Sequence, residues 1–307
     1  MTVLVRDFRT EDAEAVTALR RVCIPYQVVT EELLLFGVAT ANPAKKYRLL
    51  VAEEEGVIIG TAHVGIAYES SEPGQSSVTP HVHPGRRGRG AGALLLRTAE
   101  EHLADEGATS VCAWVIDEPS SRAFAEKRGY RPSRGAHFQR LDLARAVLPE
   151  PPPLPPGFVL RTAGDFAGNP RPLFEADAES TSDEPSDIST ALDDYEDWLH
   201  TTWNDPSLDR DLSTAVVAAD GRVAAFTAVV TDRATTYVTG MTGTRRAFRN
   251  RGLAKLAKSD SLRRARAAGY TDAFTSNDGD NGPMLAVNKW FGYEICASEV
   301  RYVRTLG

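Results

Sequence analysis

The sequence predicts an α+β protein made of two tandem modules, each a mixed, mainly antiparallel sheet flanked by helices. Three features of the 307 residues carry this expectation. Six of the nine residues from Pro149 to Gly157 are proline, so neither a helix nor an inner strand persists there and the run reads as a stiff linker. Strand and helix signals recur in the same order on either side of it, which marks an internal duplication. In each half the strand signals share the chain with helical ones, which calls for a sheet covered by helices. The expected boundaries are residues 1–148 for the first module, 149–157 for the linker and 158–307 for the second module.

Val3–Arg6 opens the first half as a short strand and Phe158–Arg161 opens the second, each followed by a polar turn and a helix. Residues 48–66 read as a strand, a turn and a strand, and residues 212–231 repeat that hairpin. The turns fall at Glu55-Gly56 and Asp220-Gly221, and Asp-Gly or its analogue between alternating apolar residues is a hairpin signal. A glycine- and arginine-rich loop comes next, residues 86–92 in one half and 249–254 in the other, each running into an apolar-striped helix at 93–106 and 255–268. Both helices stop at a glycine, Gly107 and Gly269, as helix C-termini commonly do. A strand, a second helix and a Gly-Tyr pair close each half, at Gly129-Tyr130 and Gly292-Tyr293.

The composition, 42% hydrophobic and 25% charged, is that of a soluble globular chain and excludes collagen-like, disordered and disulfide-scaffold classes. No run approaches the ~20 apolar residues of a membrane-spanning helix. The opening MTVLVRDFRTED carries acids where a secretion signal has its basic and apolar regions, so the expected location is the cytoplasm, with no membrane partner. Cys23, Cys112 and Cys296 are odd in number and form no C-x-x-C pair, which argues against a disulfide framework or a structural zinc site; no metal is expected. A net charge of −7 disfavours a nucleic-acid partner and suits a small cationic one. Oligomeric state is left open, a homodimer included.

In HPGRRGRGAGALLL, Gly88, Gly90 and Gly92 precede a helix, an order that aims several backbone N–H groups and the positive end of the helix dipole at one anion. No Gly-Lys-Ser/Thr follows, which excludes a Walker loop, and the third glycine of a dinucleotide fingerprint is missing. Either loop alone also reads as a plain turn; its recurrence at the equivalent place in the other half favours anion binding. Arg87-Gly88-Arg89-Gly90-Ala91-Gly92 and Arg249-Asn250-Arg251-Gly252-Leu253-Ala254 both fit [Gln/Arg]-x-x-Gly-x-[Gly/Ala]. That pattern, with the order of elements around it, resembles the GNAT N-acetyltransferases. The resemblance covers almost the whole chain as two GNAT modules, a layout similar to that of mycothiol synthases.

The resemblance implies that acetyl coenzyme A is the cofactor. Its pyrophosphate would lie on Arg249, Asn250, Arg251, Gly252, Leu253 and Ala254, and in the first module on Arg87 to Gly92 through Arg87, Gly88, Arg89, Gly90, Ala91 and Gly92. The strand before the loop is expected to splay from its neighbour and offer its backbone to the pantetheine arm, at Thr242 and Thr244, and at Val82 in the first module. The N–H seven residues before the signature arginine polarises the acetyl carbonyl in that family. The place holds Thr242 in the second half and Pro80 in the first, and proline has no N–H. The second module is therefore the expected catalyst and the first a degenerate one.

An asparagine after the next strand contacts the cofactor in many members of the family; Asn281 occupies that place, and Glu118 its counterpart in the first module, where a carboxylate repels the phosphates. The thiolate-protonating tyrosine seven residues later is replaced by Asn288 and Ala125. Asn288 is expected at most to give the sulfur a hydrogen bond. The family's usual places for a base hold Gly240 and Val238, or Val78 and Ser76. Tyr237 lies nearby, but its ordinary pKa near 10 makes it a poor base, and a structural role competes. His81 and His83 read as strand-end or loop residues beside Pro80, and Cys112 and Cys296 as buried thiols in apolar runs.

Between Glu175 and Asp211 the chain carries thirteen acids against one Arg, Arg210. In the family this stretch walls the acceptor site, where carboxylates would draw in an ammonium substrate. Asp183, Glu184 and Trp198 are the expected acceptor contacts, with Tyr195 and Trp203 as further stacking surfaces; the alternative is a solvated helix face. The expected function is transfer of an acetyl group from acetyl coenzyme A to the primary amine of a small molecule, by direct attack in the second module. The alternatives are acylation of an aminocyclitol-thiol precursor, as in mycothiol synthases, or a non-catalytic coenzyme A sensor. A protein-lysine acetyltransferase is a further reading.

Overall fold

The computed structural model describes residues 2–184 and 192–306. Its first half runs β1 (Val3–Asp7), α1 (Ala13–Cys23), α2 (Glu31–Ala39), β2 (Arg48–Glu54), β3 (Val57–Ile66), β4 (Gln75–Val82), α3 (Ala91–Asp105), β5 (Ser110–Ile116), α4 (Pro119–Glu126) and β6 (Arg131–Asp142). The second runs β7 (Phe158–Thr162), α5 (Arg171–Thr181), α6 (Tyr195–Trp198), β8 (Thr214–Ala218), β9 (Val223–Thr231), β10 (Thr236–Thr244), α7 (Leu253–Ala267), β11 (Asp272–Asp278), α8 (Gly282–Phe291) and β12 (Glu294–Thr305). The α+β class, the paired hairpins and the duplicated order are those the sequence calls for. Among the described residues no helix is long and apolar enough to cross a membrane.

Two compact units divide the chain: residues 1–135 with 298–307, and residues 136–297. In the first, β1 to β5 lie in chain order and the sheet is completed by β12, with Glu299 opposite Ile116 and Thr305 opposite Ser110. In the second, β7 to β11 lie in chain order and the sheet is completed by β6, with Asp142 opposite Asp272 and Ala136 opposite Asp278. Each sheet is antiparallel except where β4 meets β5 and β10 meets β11. The division therefore differs from the boundaries expected at 148 and 158: each unit takes its closing strand from the other half of the sequence. Strand pairing satisfies backbone groups that every residue carries, so the alternating pattern of β6 and β12 marks them as strands without naming the sheet they close. Residues 143–149 also lie in the second unit: Arg266 donates to the carbonyls of Leu143 and Ala146 at 2.7 and 2.5 Å, and Arg263 to that of Pro149 at 2.7 Å.

Helix periodicity decides what covers each sheet. In the first unit Leu95, Ala99 and Leu103 of α3 recur every four residues and bury against Ala62, Val64, Val78 and Val111. In the second, Leu253, Leu256 and Ala257 of α7 pack on Val216, Ala224 and Ala225. The opposite face takes Leu173, Phe174 and Ala176 of α5 together with Trp198 and Trp203. Full burial of one such leucine is worth about 1.5–3 kcal/mol.

Candidate active site

In the second unit β10 pairs with β11 only from Thr236 to Thr239, and continues to Thr244 with β9 as its partner on the other edge. A bulge at Gly240 shifts the β9 register between Thr239 and Met241, the kind of break that re-aims a strand beside a site. Beyond it, the Arg245 N–H donates to the Ala224 carbonyl at 3.0 Å. Amides alternate between the two edges of a strand, so Thr244 and Thr242 turn theirs away from β9, to the edge that β11 has left.

The first unit opens in the same way but offers less. β4 pairs with β5 only over Gln75–Ser77, the β3–β4 register is unbroken, and the His83 N–H donates to the Ile59 carbonyl at 2.9 Å. The same alternation puts Val82 and Pro80 on the splayed edge, and Pro80 has no hydrogen to give.

The loop before α7 holds Asn250 at φ 62° and Gly252 at φ 73°, left-handed turns that gather successive amides on one side. No side chain caps α7, so its first-turn N–H groups lack a partner within the helix and face outward with the dipole. A Cβ on Gly252 would meet nothing within 4 Å: it would stand in the open space of the cradle. Between the splayed strands and this helix end lies a cleft of about 510 Å³, lined by residues 239–244, 249–255, 275–277 and parts of α8. That is the size of an ordinary small-ligand site.

Of the residues singled out in the sequence, Thr242, Thr244, Arg249, Asn250, Arg251, Gly252, Leu253, Ala254, Asn281, Asp183 and Glu184 all line this cleft. Asn281 is the N-cap of α8, its Oδ1 accepting from the Met284 amide at 3.3 Å. The Arg249 guanidinium donates to the Thr244 carbonyl at 3.2 Å and pairs with Asp183. In the first unit the equivalent loop is held by carboxylates: Arg87 pairs with Glu118 at 3.4 Å, and Arg89 and Arg86 pair with the buried Glu54 at 3.1 and 3.4 Å. Gly88 and Gly90 keep the left-handed turns there, Ala91 begins α3, and Gly92 backs onto the Phe124 ring.

Four expectations need correction. Tyr237 is fully buried, its hydroxyl 2.8 Å from Ser261 Oγ, and burial pushes its pKa up to about 12; it cannot act as a base in the cleft. Asn288 is fully buried too. It donates to Gln139 Oε1 at 2.8 Å and Asn277 Oδ1 at 2.6 Å, which uses both amide hydrogens, and accepts from Lys258 Nζ at 2.7 Å, so nothing is left for a sulfur. Trp198 lies in the core, its indole donating to Asp177 at 2.8 Å and its ring stacked 6.0 Å from Trp203; Tyr195 joins the same cluster. Asp183 lines the cleft, but its charge is spent on Arg246 and Arg249, which hold its pKa below the usual carboxylate range. Residues 185–191 of the acidic stretch lie outside the described residues.

Three features of the site were not legible in the sequence. Gly243 is approached by Ser180 Oγ more closely than any real Cβ would allow, so glycine at this position lets α5 sit directly on the splayed strand. Asn277, four residues before Asn281, lines the cleft and is oriented by Asn288. Lys258 is fully buried with no carboxylate partner among the described residues, and desolvation draws its pKa down to about 7. Its place on the buried stripe of α7, four residues before Leu262, is the sequence signal that marks this last group.

Residues 14–130 match the acetyltransferase (GNAT) family model. Across 294 aligned residues the chain is 27% identical to a mycothiol acetyltransferase of Nocardiopsis dassonvillei, covering 88% of this chain and 86% of that one. It is 29% identical to the mycothiol acetyltransferase of Nocardia farcinica, covering 83% and 82%. A tandem GNAT protein from the clavulanic acid biosynthesis pathway superposes with a TM-score of 0.75 at 22% identity, over 100% and 99% of the two chains. The chain has the fold of a tandem GNAT protein. A GCN5-related N-acetyltransferase from Sphaerobacter thermophilus has the same fold, with a TM-score of 0.72 at 22% identity over 99% and 96%. The GNAT module at residues 14–130 and these relatives support N-acetyltransferase activity, and GNAT enzymes in general use acetyl coenzyme A.

Proposed function

We propose that the second unit transfers the acetyl group of acetyl coenzyme A to the primary amine of a small molecule, and that the first unit is a degenerate module that does not turn over. The observation that carries this is the contrast on the splayed strands: Thr242 presents an amide to the cleft where Pro80 presents none. The cofactor supplies the acetyl thioester. The amides of residues 250–254 and the uncapped end of α7 would hold its diphosphate, with Arg249 beside them. The Thr242 N–H would meet the carbonyl oxygen as negative charge develops there, the kind of fixed donor that lowers such barriers most, and Thr244 would continue the backbone contact along the splayed edge.

No side chain in the cleft is assigned as base. Holding a neutral amine against the carbonyl accounts for much of the rate, since positioning alone can contribute about 7–11 kcal/mol. The relatives named mycothiol acetyltransferase match over most of their length, which favours an aminocyclitol-thiol amine as acceptor over a simple alkylamine or a peptide lysine. The test is acetyl-dependent thiol release measured with the aminocyclitol-thiol, simple amines and a lysine peptide in parallel. Release with a small amine supports the reading; release with the peptide alone, or the same release after the second unit's anion loop is disabled, overturns it.

A further inference from the structure

The first unit contains a group of donors that the acetyl-transfer reading leaves unused. Leu49 and Val51 of β2 stand opposite His63 and Thr61 of β3, and Thr61 stands opposite His81 of β4. Cross-strand partners share a sheet face, so His63 and His81 lie on the face where Leu49 and Val51 pack against Ala13 and Val16 of α1. Arg20 follows Val16 by four residues and Thr17 by three, which puts it on the same sheet-facing stripe of α1. Cys23, one further turn along, lies against the Val82 carbonyl at 3.6 Å. Lys45 packs over Gly65, two residues beyond His63 on that face.

Among the described residues none of the three central groups has an anionic partner. Arg20 Nε is buried without a hydrogen-bond partner, and among the described residues Arg20 has no ion pair and neither imidazole a hydrogen bond. The charges that act on His63 are Arg20, His81 and Lys45, and those on His81 are Arg20 and Arg87, all cationic, while the Tyr47 phenol, its pKa raised by burial, faces Arg20. A half-buried guanidinium whose Nε is sealed from solvent and whose polar neighbours among the described residues are cations and a phenol is costly, and flanked by two imidazoles without hydrogen bonds it lacks an anionic acceptor.

We infer that the α1 face of the first unit is an oxyanion-binding recess, in which Arg20, His63 and His81 hold the carboxylate or phosphate group of a small ligand. The planar guanidinium fork suits either group, and the imidazoles add one donor each. Without a ligand, burial first and then the neighbouring cations depress both histidines, His63 to about 3 and His81 to about 4. An anion among them favours the protonated rings and raises both values. This recess lies on β3, β4 and α1 and is independent of which unit transfers acetyl groups.

The test follows the histidine C2 proton resonances of the full chain through a pH titration, alone and with inorganic phosphate or succinate as probes, assigning His63 and His81 by His63→Gln and His81→Gln. Both midpoints should rise with at least one probe, and the response to each tells phosphate from carboxylate as the preferred group. Arg20→Met should weaken the effect about tenfold or more and, in the absence of anion, raise the melting temperature by removing a half-buried cation that has no counter-ion among the described residues. Phosphate taken up only by the glycine loops would leave both resonances unmoved, and that result overturns the inference. Equal shifts in wild type and Arg20→Met overturn it too. If Arg20→Met fails to fold, the wild-type titration decides the matter.

Discussion

Replacing Thr242 by proline isolates the donor on which the proposed chemistry turns. The amide of this residue does not serve the β9 ladder, since the alternation set by the Arg245 N–H and the Ala224 carbonyl turns it outward. Proline is tolerated at strand edges that face away from the ladder, and Pro80 already occupies the equivalent place on β4 with its register unbroken. Thr242→Pro should therefore fold while losing one fixed donor, a loss that costs about 10²–10³ in kcat, or about 2.7–4 kcal/mol of barrier. The substitution also deletes the hydroxyl contact between Thr242 and Thr227 at 3.2 Å, worth about 1 kcal/mol of stability. Thr242→Val removes the hydroxyl and keeps the N–H, so it should show that stability loss with kcat nearly intact. The assay is steady-state thiol release with saturating acceptor, alongside circular dichroism and thermal melting of both variants. A folded Thr242→Pro within a few-fold of wild-type kcat would refute the reasoning, as would an equal loss in Thr242→Val.

Gly252→Asp should abolish acetyl transfer and calorimetric coenzyme A binding, because the side chain enters the open cradle beside the helix end; Gly252→Asn, which carries the same backbone strain without charge, should lose less, and Gly90→Asp should leave most of the activity. Gly243→Ala should lower the melting temperature and activity together, since its Cβ collides with Ser180 and with the Phe226 ring and α5 must move; overpacking of this kind costs about 1–3 kcal/mol. Lys258, drawn down to about 7 in the fold from an ordinary value near 10.5, binds more protons unfolded than folded across that interval, so its contribution makes stability rise with pH between about 7 and 9. Denaturant unfolding should show that slope, and Lys258→Met should flatten it.

The anion loops were legible because their signal is local: glycines at left-handed turns, an arginine at fixed spacing and a helix starting without a cap. Thr242 could be found by counting back along one strand. Side-chain roles that depend on burial were not legible. Tyr237 and Asn288 sit at the right spacing from the loop, but whether a side chain faces a cleft or a core is set by what packs above it, here Ser261 and Lys258 of α7. The acidic stretch misled for a related reason. Its carboxylates look like an open field in sequence, yet Glu179 and Asp183 pair with Arg245 and Arg246, more than sixty residues away.

By itself the sequence determined the duplication, the α+β class, the two glycine loops and the loss of one amide at Pro80, because each depends on backbone conformation or on a residue's own covalent structure over a short span. The tertiary structure alone decided which strand closes each sheet, since β6 and β12 offer ladders that would serve either. It alone decided which polar side chains are spent in the core and which, like Arg20, His63 and His81, have no anionic partner among the described residues. Those outcomes rest on contacts between residues distant in the chain, where burial and charge are properties of the packed neighbourhood rather than of the residue.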